Sequence, residues 1–236
     1  MKISVIITTY NEILTIAEII EQVINVDLGD DFEKEIIVVD NISNDGTREL
    51  LRKLEKEKDI QVIYQTKNLG KSFSFRTAIP LCSGDYVISQ DADLEYNPQD
   101  ITKILNHLIL NDYDVVIGSR IETGKRYHAY KINEYGIDFL NKITNLLFRT
   151  EYTDVATCYK LMKSDILKDF NLKCNGFDLD YELCAKFNKI KIRAGEKSIK
   201  YSSRSFQEGR KTIFSENNIY VDGLKGLYVI LKEKFY

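Results

Sequence analysis

Short β-branched runs alternate with helical patterns through the first half of the chain, and this alternation limits the possible folds most. Five segments have the pattern of buried strands: 3–7, 35–40, 61–64, 84–90 and 114–117. Between them, apolar residues recur at helical spacing in the segments 13–24, 47–58 and 100–110. Strands that alternate with helices form parallel β-α-β units. We therefore predict an α/β protein with a single, doubly wound and mostly parallel sheet.

The second half of the chain is less regular. Residues 118–135 are polar and predict a long loop. Helices are predicted near four segments: 133–148, 164–170, 180–188 and 222–236. The last helix is amphipathic, and its apolar stripe consists of Leu224, Leu227, Tyr228, Leu231 and Phe235. We predict one domain over 1–215 and a C-terminal helix over 216–236, which packs on the domain, on a dimer partner or on a membrane surface.

Composition excludes several classes of protein. The chain has 236 residues and a formal net charge of −3, without the basic excess of most nucleic-acid-binding proteins. No apolar run reaches the ~18–20 residues needed to cross a bilayer. The apolar run at 3–7 is also too short for a signal peptide. Four cysteines without a Cys-x-x-Cys pair predict reduced, structural thiols in a cytoplasmic protein.

Two carboxylates, Asp91 and Asp93, follow the strand predicted at 84–90. Carboxylates beside a buried strand are costly unless something offsets their charge. Mg²⁺ and Mn²⁺ prefer oxygen ligands, and such ions bind through one or two carboxylates plus phosphate oxygens. The pair therefore indicates a metal-diphosphate site at the carboxyl end of a strand, where open α/β sheets bind ligands. The alternative is that Asp93 or Asn97 only caps the next helix.

The motifs of residues 3–215, taken in order, resemble those of the family 2 glycosyltransferases, and the later ones resemble the dolichyl- or polyprenyl-phosphate hexosyltransferase branch. They are Thr9-Tyr10-Asn11-Glu12, Val39-Asp40, Asp45-Gly46-Thr47, Asn68-x-Gly70-Lys71, Gly84-Asp85-Tyr86, Asp91-Ala92-Asp93, Asp114 to Arg120, and Tyr201-x-x-Arg204-x-x-x-x-Gly209-Arg210-Lys211. The resemblance implies a GT-A fold and an inverting hexosyltransferase. It also implies a GDP- or UDP-sugar as donor and Mg²⁺ or Mn²⁺ as cofactor.

The resemblance also assigns roles to individual residues. The donor nucleotide sugar is expected to contact Thr9, Tyr10, Glu12, Asp40, Lys71, Asp91 and Lys211. The metal ligands are expected to be Asp91, Asp93 and Glu95. The residues expected at the reacting end are Asp154, Arg120 and Arg204. The residue types suit these roles, because carboxylates accept hydrogen bonds from a base or ribose and arginine forks bind phosphates.

The chain departs from the family pattern at several positions, among them the loop after Asp40, Ser72 where the family usually has glycine, and Glu95. Family members have Asp-Asp-Gly where this chain has Asp40-Asn41-Ile42, and the missing glycine predicts a different conformation for this loop. Glu95 stands where the polyprenyl-phosphate branch often has glutamine. This third carboxylate either strengthens the metal site or faces solvent. Lys71 is expected either to meet the diphosphate or to be a solvated loop lysine.

The acceptor and the class of activity stay open at this point. With a polyprenyl or dolichyl phosphate acceptor, contact would be peripheral, at the cytoplasmic membrane face, and Arg120 and Arg204 would hold the phosphate. With a glycan hydroxyl as acceptor, Asp154 would be the general base that takes its proton, and Glu182 is a weaker candidate for that role. A non-catalytic nucleotide-sugar binding module is the alternative from another class. A sugar nucleotidyltransferase is disfavoured, because residues 8–12 lack its glycine- and arginine-rich loop.

Overall fold

The computed structural model describes the backbone of residues 1–122, 125–126, 131–203 and 219–235, and the side chains of 1–121, 134–203 and 221–235. Its strands are β1 (Lys2–Thr9), β2 (Glu33–Asp40), β3 (Gln61–Tyr64), β4 (Tyr86–Asp91), β5 (Val115–Ser119), β6 (Ile121–Glu122), β7 (Lys125–Arg126), β8 (Lys160–Lys163) and β9 (Ala194–Ser198). Within the described ranges, seven strands form one sheet in the order β3-β2-β1-β4-β8-β5-β9, and β6 pairs with β7. Strand β8 runs antiparallel to both neighbours and the other pairings of this sheet are parallel.

Helices flank both faces of the sheet. They are α1 (Ile16–Ile24), α2 (Thr47–Glu57), α3 (Lys71–Ala78), α4 (Asp100–Leu110), α5 (Lys131–Phe148), α6 (Ser164–Asp169), α7 (Leu179–Lys189) and α8 (Ile219–Phe235). Alternate residues of β1 point to opposite faces, as the period of a strand requires. Val5 and Ile7 join one core with α1, α2 and α4, whereas Ile6 joins a second core with α3 and α7. The predicted mostly parallel sheet with flanking helices is confirmed.

Helix α3 and strand β9 are among the elements that the sequence prediction missed. Helix α3 has the sequence KSFSFRTA, in which serines occupy two of the four buried positions, so no apolar helical stripe marks it. Strand β9 has the sequence AGEKS, which lacks a β-branched apolar run. Gly195 suits this strand because the ring of Tyr113 lies 2.4 Å from the position a Cβ would take.

One further expectation needs correction. The predicted loop over 118–135 contains the β6–β7 pair, and α5 already begins at Lys131. The C-terminal helix packs on α7 and α5, and its Val229 and Ile230 are buried. Most residues of its predicted apolar stripe face outward, with Leu224 and Phe235 each 67% exposed. Across the described parts of the chain, no helix has both the length and the apolar character that a membrane span requires.

Candidate functional site

The carboxyl ends of three parallel strands meet at one edge of the sheet. Thr9 at the end of β1 pairs with Asp40 at the end of β2, and Thr8 pairs with Asp91 at the end of β4. The predicted donor and metal residues therefore start from one edge, and the loops that follow these strands extend beyond it. This is the position at which open α/β sheets bind ligands.

Thr9 and Asp40 are buried polar residues at this edge of the sheet. Asp40 is wholly buried, and its Oδ2 accepts a hydrogen bond of 2.8 Å from Arg48 Nε. Its Oδ1 accepts a hydrogen bond of 3.2 Å from the backbone N–H of Ser43. Thr9 is 3% exposed, and its Oγ1 has no hydrogen-bond partner among the described residues. A buried hydroxyl without a partner is uncommon, and a polar ligand bound at this edge would supply one.

Tyr10 and Glu12 lie in the loop after β1, which is bonded to the loop after β2. The N–H of Asn11 donates to Ser43 Oγ at 2.9 Å, and Asn11 Oδ1 accepts from the N–H of Asn44 at 2.8 Å. The N–H of Glu12 donates to Thr47 Oγ1 at 3.0 Å. These bonds join the two loops into one wall of the edge.

Three loops at this edge each contain a non-glycine residue with left-handed backbone: Asn11 at φ 55°, Ile42 at φ 60° and Leu94 at φ 61°. Such conformations are strained in β-branched residues and concentrate at functional sites. Position 42 is where the family pattern has glycine, and Ile42 adopts a left-handed conformation that glycine takes without strain. The different loop conformation expected from the missing glycine stays a prediction.

Lys71 is paired with Asp91. The distance from Lys71 Nζ to Asp91 Oδ1 is 2.5 Å. Burial disfavours the charge of Lys71, but Asp91 outweighs it and holds the pKa of the ammonium well above its usual range. Lys71 is not a solvated loop residue, because it begins α3 directly after Gly70. Gly70 has φ 89°, and a Cβ at this position would lie 2.2 Å from the carbonyl oxygen of Asn175.

Asp93 and Glu95 lie in the loop after β4. Asp93 Oδ1 accepts a hydrogen bond of 3.1 Å from the N–H of Glu95, while Glu95 Oε2 accepts one of 2.5 Å from the hydroxyl of Tyr201. No cluster of three or more His, Cys, Asp or Glu side chains able to hold a metal occurs among the described residues. Asp91, Asp93 and Glu95 thus do not converge as three ligands. Two carboxylates at a strand end still fit Mg²⁺ or Mn²⁺ whose other ligands are diphosphate oxygens and water.

Arg120 and Asp154, predicted at the reacting end, bind each other. Arg120 Nε donates to Asp154 Oδ2 at 2.7 Å and Nη2 donates to Oδ1 at 2.8 Å, so the pair is bidentate. Both side chains are buried. Burial disfavours the charge of Arg120, but Asp154 outweighs it and holds the guanidinium pKa well above its usual range. The two oxygens of Asp154 are therefore engaged by a cation.

Several neighbours of the site were missed from sequence. Lys160 is 1% exposed, and its Nζ donates to Asp180 Oδ1 at 2.8 Å and to the carbonyl oxygens of Val155 and Thr157. Burial raises the pKa of Asp180, and Lys160 opposes that rise. A lysine within the apolar run 158–162 was the available signal, because a buried lysine needs partners.

The remaining sequence candidates have other outcomes. Arg204 and Lys211 lie outside the described residues. Glu182 is buried, and its carboxylate accepts the backbone N–H groups of Lys173 and Cys174 at 2.9 to 3.1 Å, so it holds a loop together. The four cysteines are buried free thiols.

Comparison with known proteins identifies the family. The family model described as Glycosyl transferase family 2 matches residues 4–170. The chain belongs to this family. A dolichol-phosphate mannosyltransferase of Pyrococcus furiosus is 30% identical over 196 residues, which are 81% of this chain and 54% of the relative. The glycosyltransferase AglJ of Haloferax volcanii is 29% identical over 188 residues, 78% of this chain and 58% of AglJ.

These relatives confirm the predicted resemblance to the dolichyl-phosphate branch of the family 2 glycosyltransferases. The chain spans somewhat more than half the length of these two proteins. Among solved structures, glucosyl-3-phosphoglycerate synthase from Mycobacterium tuberculosis, determined with Mn²⁺, UDP and glucosyl-3-phosphoglycerate, matches 99% of this chain and 80% of its own. The TM-score is 0.71 at 17% identity. This likeness confirms the GT-A fold that the sequence predicted.

Proposed function

We propose that this glycosyltransferase domain transfers a hexose, with inversion, from a GDP- or UDP-sugar to a polyprenyl or dolichyl phosphate. The observation that carries the donor half is the meeting of β1, β2 and β4 at one edge. The buried Thr9 hydroxyl, which has no hydrogen-bond partner among the described residues, lies there beside Asp40, and Asp91 and Asp93 lie at the next strand end. Hydroxyl and carboxylate acceptors suit a nucleoside, and two carboxylates suit a metal on a diphosphate.

Different residues of the site would contact different parts of the donor. Asp91 and Asp93 would hold Mg²⁺ or Mn²⁺, and a cation there supplies Lewis-acid stabilisation of the departing diphosphate. Lys71, bonded to Asp91, adds a positive charge at the start of α3 beside the same phosphates. Thr9 and Asp40 form the nucleoside side, with Tyr10 and Glu12 in the wall next to them. Asp40 acts with Arg48, since its carboxylate is buried against that residue.

The state of Asp154 favours a phosphate acceptor. A glycan hydroxyl must lose its proton during transfer and needs a general base, whereas a phosphate is already ionised at neutral pH. Both oxygens of Asp154 accept hydrogen bonds from Arg120, so Asp154 is poorly placed to take a proton. In our proposal Asp154 orients Arg120 toward the acceptor phosphate, together with Arg204. The name of the Pyrococcus relative supports the same class of acceptor.

Peripheral contact with a membrane belongs to this proposal, because a polyprenyl chain stays in the bilayer. Helix α8 packs on α7 and α5 through one face and exposes Leu224, Tyr228 and Phe235 on another. Lys225 and Lys234 are exposed on the same helix. Exposed apolar residues flanked by lysines suit the surface of an anionic bilayer. A homodimer through this stripe is the alternative.

The test begins with binding. GDP- and UDP-hexoses are screened with Mn²⁺ by thermal shift, and the donor that stabilises the protein is then radiolabelled. The labelled donor is offered to a short polyprenyl phosphate and, separately, to a mixture of free glycans. Product on the polyprenyl phosphate supports the proposal. Product only in the glycan mixture would favour a hydroxyl acceptor. If the protein binds the donor but neither transfers the sugar nor slowly hydrolyses the donor, a binding module is favoured.

A further inference from the structure

One tyrosine contacts both halves of the site. Tyr201 lies shortly after β9, and its hydroxyl donates a hydrogen bond of 2.5 Å to Glu95 Oε2 in the loop after β4. The face of its ring lies 5.2 Å from Cζ of Arg120, within the range of a cation–π contact. Arg120 is in turn bound to Asp154. Tyr201 therefore touches the loop that carries Asp93 and also the arginine–aspartate pair.

The backbone makes the same connection. Tyr96 and Tyr201 form an antiparallel bridge, and the N–H of Ser202 donates to the carbonyl oxygen of Glu95 at 2.9 Å. The rings of Tyr96 and Tyr201 meet edge to face with centroids 5.1 Å apart. We name residues 93–96 the metal loop. The chain after β9 thus adds a short pairing to the metal loop.

The metal loop needs such support because Leu94 has left-handed backbone at φ 61°. A strained conformation persists only where the surroundings hold it. Glu95 supplies a charged acceptor for the Tyr201 hydroxyl, and hydrogen bonds to charged groups are the stronger ones. The sequence motif around Asp93 does not predict this hydrogen bond, because Glu95 and Tyr201 are 106 residues apart.

We propose that Tyr201 is a positioning residue that fixes the metal loop relative to the Arg120–Asp154 pair through its hydrogen bond to Glu95. The effect on sugar transfer rests on the proposed function, whereas the effect on the loop does not. The hydrogen bond between Glu95 and Tyr201 would thereby link the donor metal to the acceptor side, to which the proposed function assigns Arg120.

The test uses the full chain and four variants. Tyr201→Phe removes the hydroxyl and keeps the ring, Glu95→Ala removes the acceptor, and the double variant removes both. Tyr86→Phe is the matched control, since Tyr86 begins β4 at the opposite edge of the sheet. Hydrogen exchange of the metal-loop amides is measured first, without ligand. Mn²⁺ is then titrated calorimetrically in the presence of GDP and, in a parallel series, of UDP.

Tyr201→Phe should speed exchange in the metal loop and raise the Mn²⁺ dissociation constant about tenfold, the size expected for one hydrogen bond to a charged group. The thermal midpoint should stay close to that of Tyr86→Phe. Glu95→Ala should have a similar effect, and the double variant should be no worse than the more severe single variant, because both changes break one bond.

Additive losses of Mn²⁺ affinity would overturn the proposal, because they would show that Glu95 and Tyr201 act independently of each other. Unchanged exchange in Tyr201→Phe would overturn it too. If the wild type fails to bind Mn²⁺ both in the presence of GDP and in the presence of UDP, the proposed function fails. The exchange experiment still decides the positioning role in that case, because it needs no ligand.

Discussion

Four acidic residues at the carboxyl edge each have a different partner, and the partner defines what the residue can do. Asp40 is bound to Arg48, Asp91 to Lys71, Asp154 to Arg120 and Glu95 to Tyr201. A carboxylate already held by a cation contributes orientation more than proton transfer. The motif alone does not distinguish these cases, since all four residues are acidic side chains in loops or at strand ends.

The first prediction concerns the metal at the level of one residue. Asp93→Ala should lower Mn²⁺-dependent donor turnover at least about a hundredfold, because Lewis-acid stabilisation of the leaving group is worth several kcal/mol. Mn²⁺ binding in the presence of nucleotide should weaken in parallel, as measured by calorimetry. Asp59→Ala is the control, because Asp59 is exposed and precedes β3 at the opposite edge. Full turnover by Asp93→Ala would show that Asp93 is not a metal ligand.

The second prediction concerns backbone strain at Ile42. Both Ile42→Ala and Ile42→Gly lose the isoleucine side chain, but only alanine keeps a Cβ at φ 60°. The glycine variant should therefore be more stable than the alanine variant by about 1 kcal/mol in the free energy of unfolding, measured with denaturant. At Leu14, which is 91% exposed and is not left-handed, the same comparison should favour alanine. If the alanine and glycine variants have the same order of stability at positions 42 and 14, the backbone strain assigned to Ile42 is refuted.

At the scale of elements, Asp114 joins three strands at the far side of the sheet. Its Oδ1 accepts from Lys163 Nζ at 2.7 Å, and its Oδ2 accepts from the backbone N–H of Arg193 at 2.9 Å. Burial raises the pKa of Asp114, but these hydrogen bonds outweigh it and lower the pKa to about 2. Asp114 thereby ties the start of β5 to the end of β8 and to the residue before β9.

The third prediction follows from this pKa. A carboxyl whose pKa is lower in the folded protein than its ordinary value of about 3.9 adds stability above that value, and the contribution disappears as the pH falls toward 2. Asp114→Asn should lower the free energy of unfolding at pH 7 by on the order of 2 kcal/mol. It should also flatten the loss of stability between about pH 4 and pH 2. Urea titrations across this range, with the exposed Asp30→Asn as control, measure both effects.

The sequence predicted the elements that have strong periodicity. Strands β1 to β5 are β-branched apolar runs, and α5 buries Leu140 and Thr144, which lie one helical turn apart. The sequence could not show which charged residues pair, because Arg120 with Asp154 and Glu95 with Tyr201 are long-range contacts. Helix α3 and strand β9 depend on tertiary packing around Gly70 and Gly195, which no local pattern records. Direct roles at the donor site stay predictions.

At the scale of the whole molecule, α8 is apolar on two faces. Gly226 lets this helix approach α7 closely, since a Cβ there would lie 2.8 Å from the ring of Tyr181. Glu233 adds ion pairs with Lys186 at 3.3 Å and with Lys189 at 3.8 Å. The inner face is thus committed to the domain, and only the outer stripe remains for a membrane or a second copy.

The fourth prediction tests that stripe. The double variant Leu224→Gln/Tyr228→Gln should bind vesicles of phosphatidylglycerol and phosphatidylcholine at least about tenfold more weakly than the wild type, because it loses two apolar side chains that would be buried in the bilayer. Leu110→Gln is the control, since Leu110 is 83% exposed at the end of α4. Co-sedimentation at low and high salt measures the vesicle dissociation constants of the wild type and of the double variant. Equal vesicle binding with a change in oligomeric state would indicate a dimer.

The antiparallel strand β8 has a consequence for the synthesis of the chain. Until β8 leaves the ribosome, β4 has a free edge, and its residues Val87 and Ile88 are fully buried only in the finished sheet. Unpaired apolar edges recruit other chains. A nascent chain that pauses before residue 160 should therefore be the form most prone to aggregation, and chaperones that shield strand edges should raise the yield of this protein more than slower translation does.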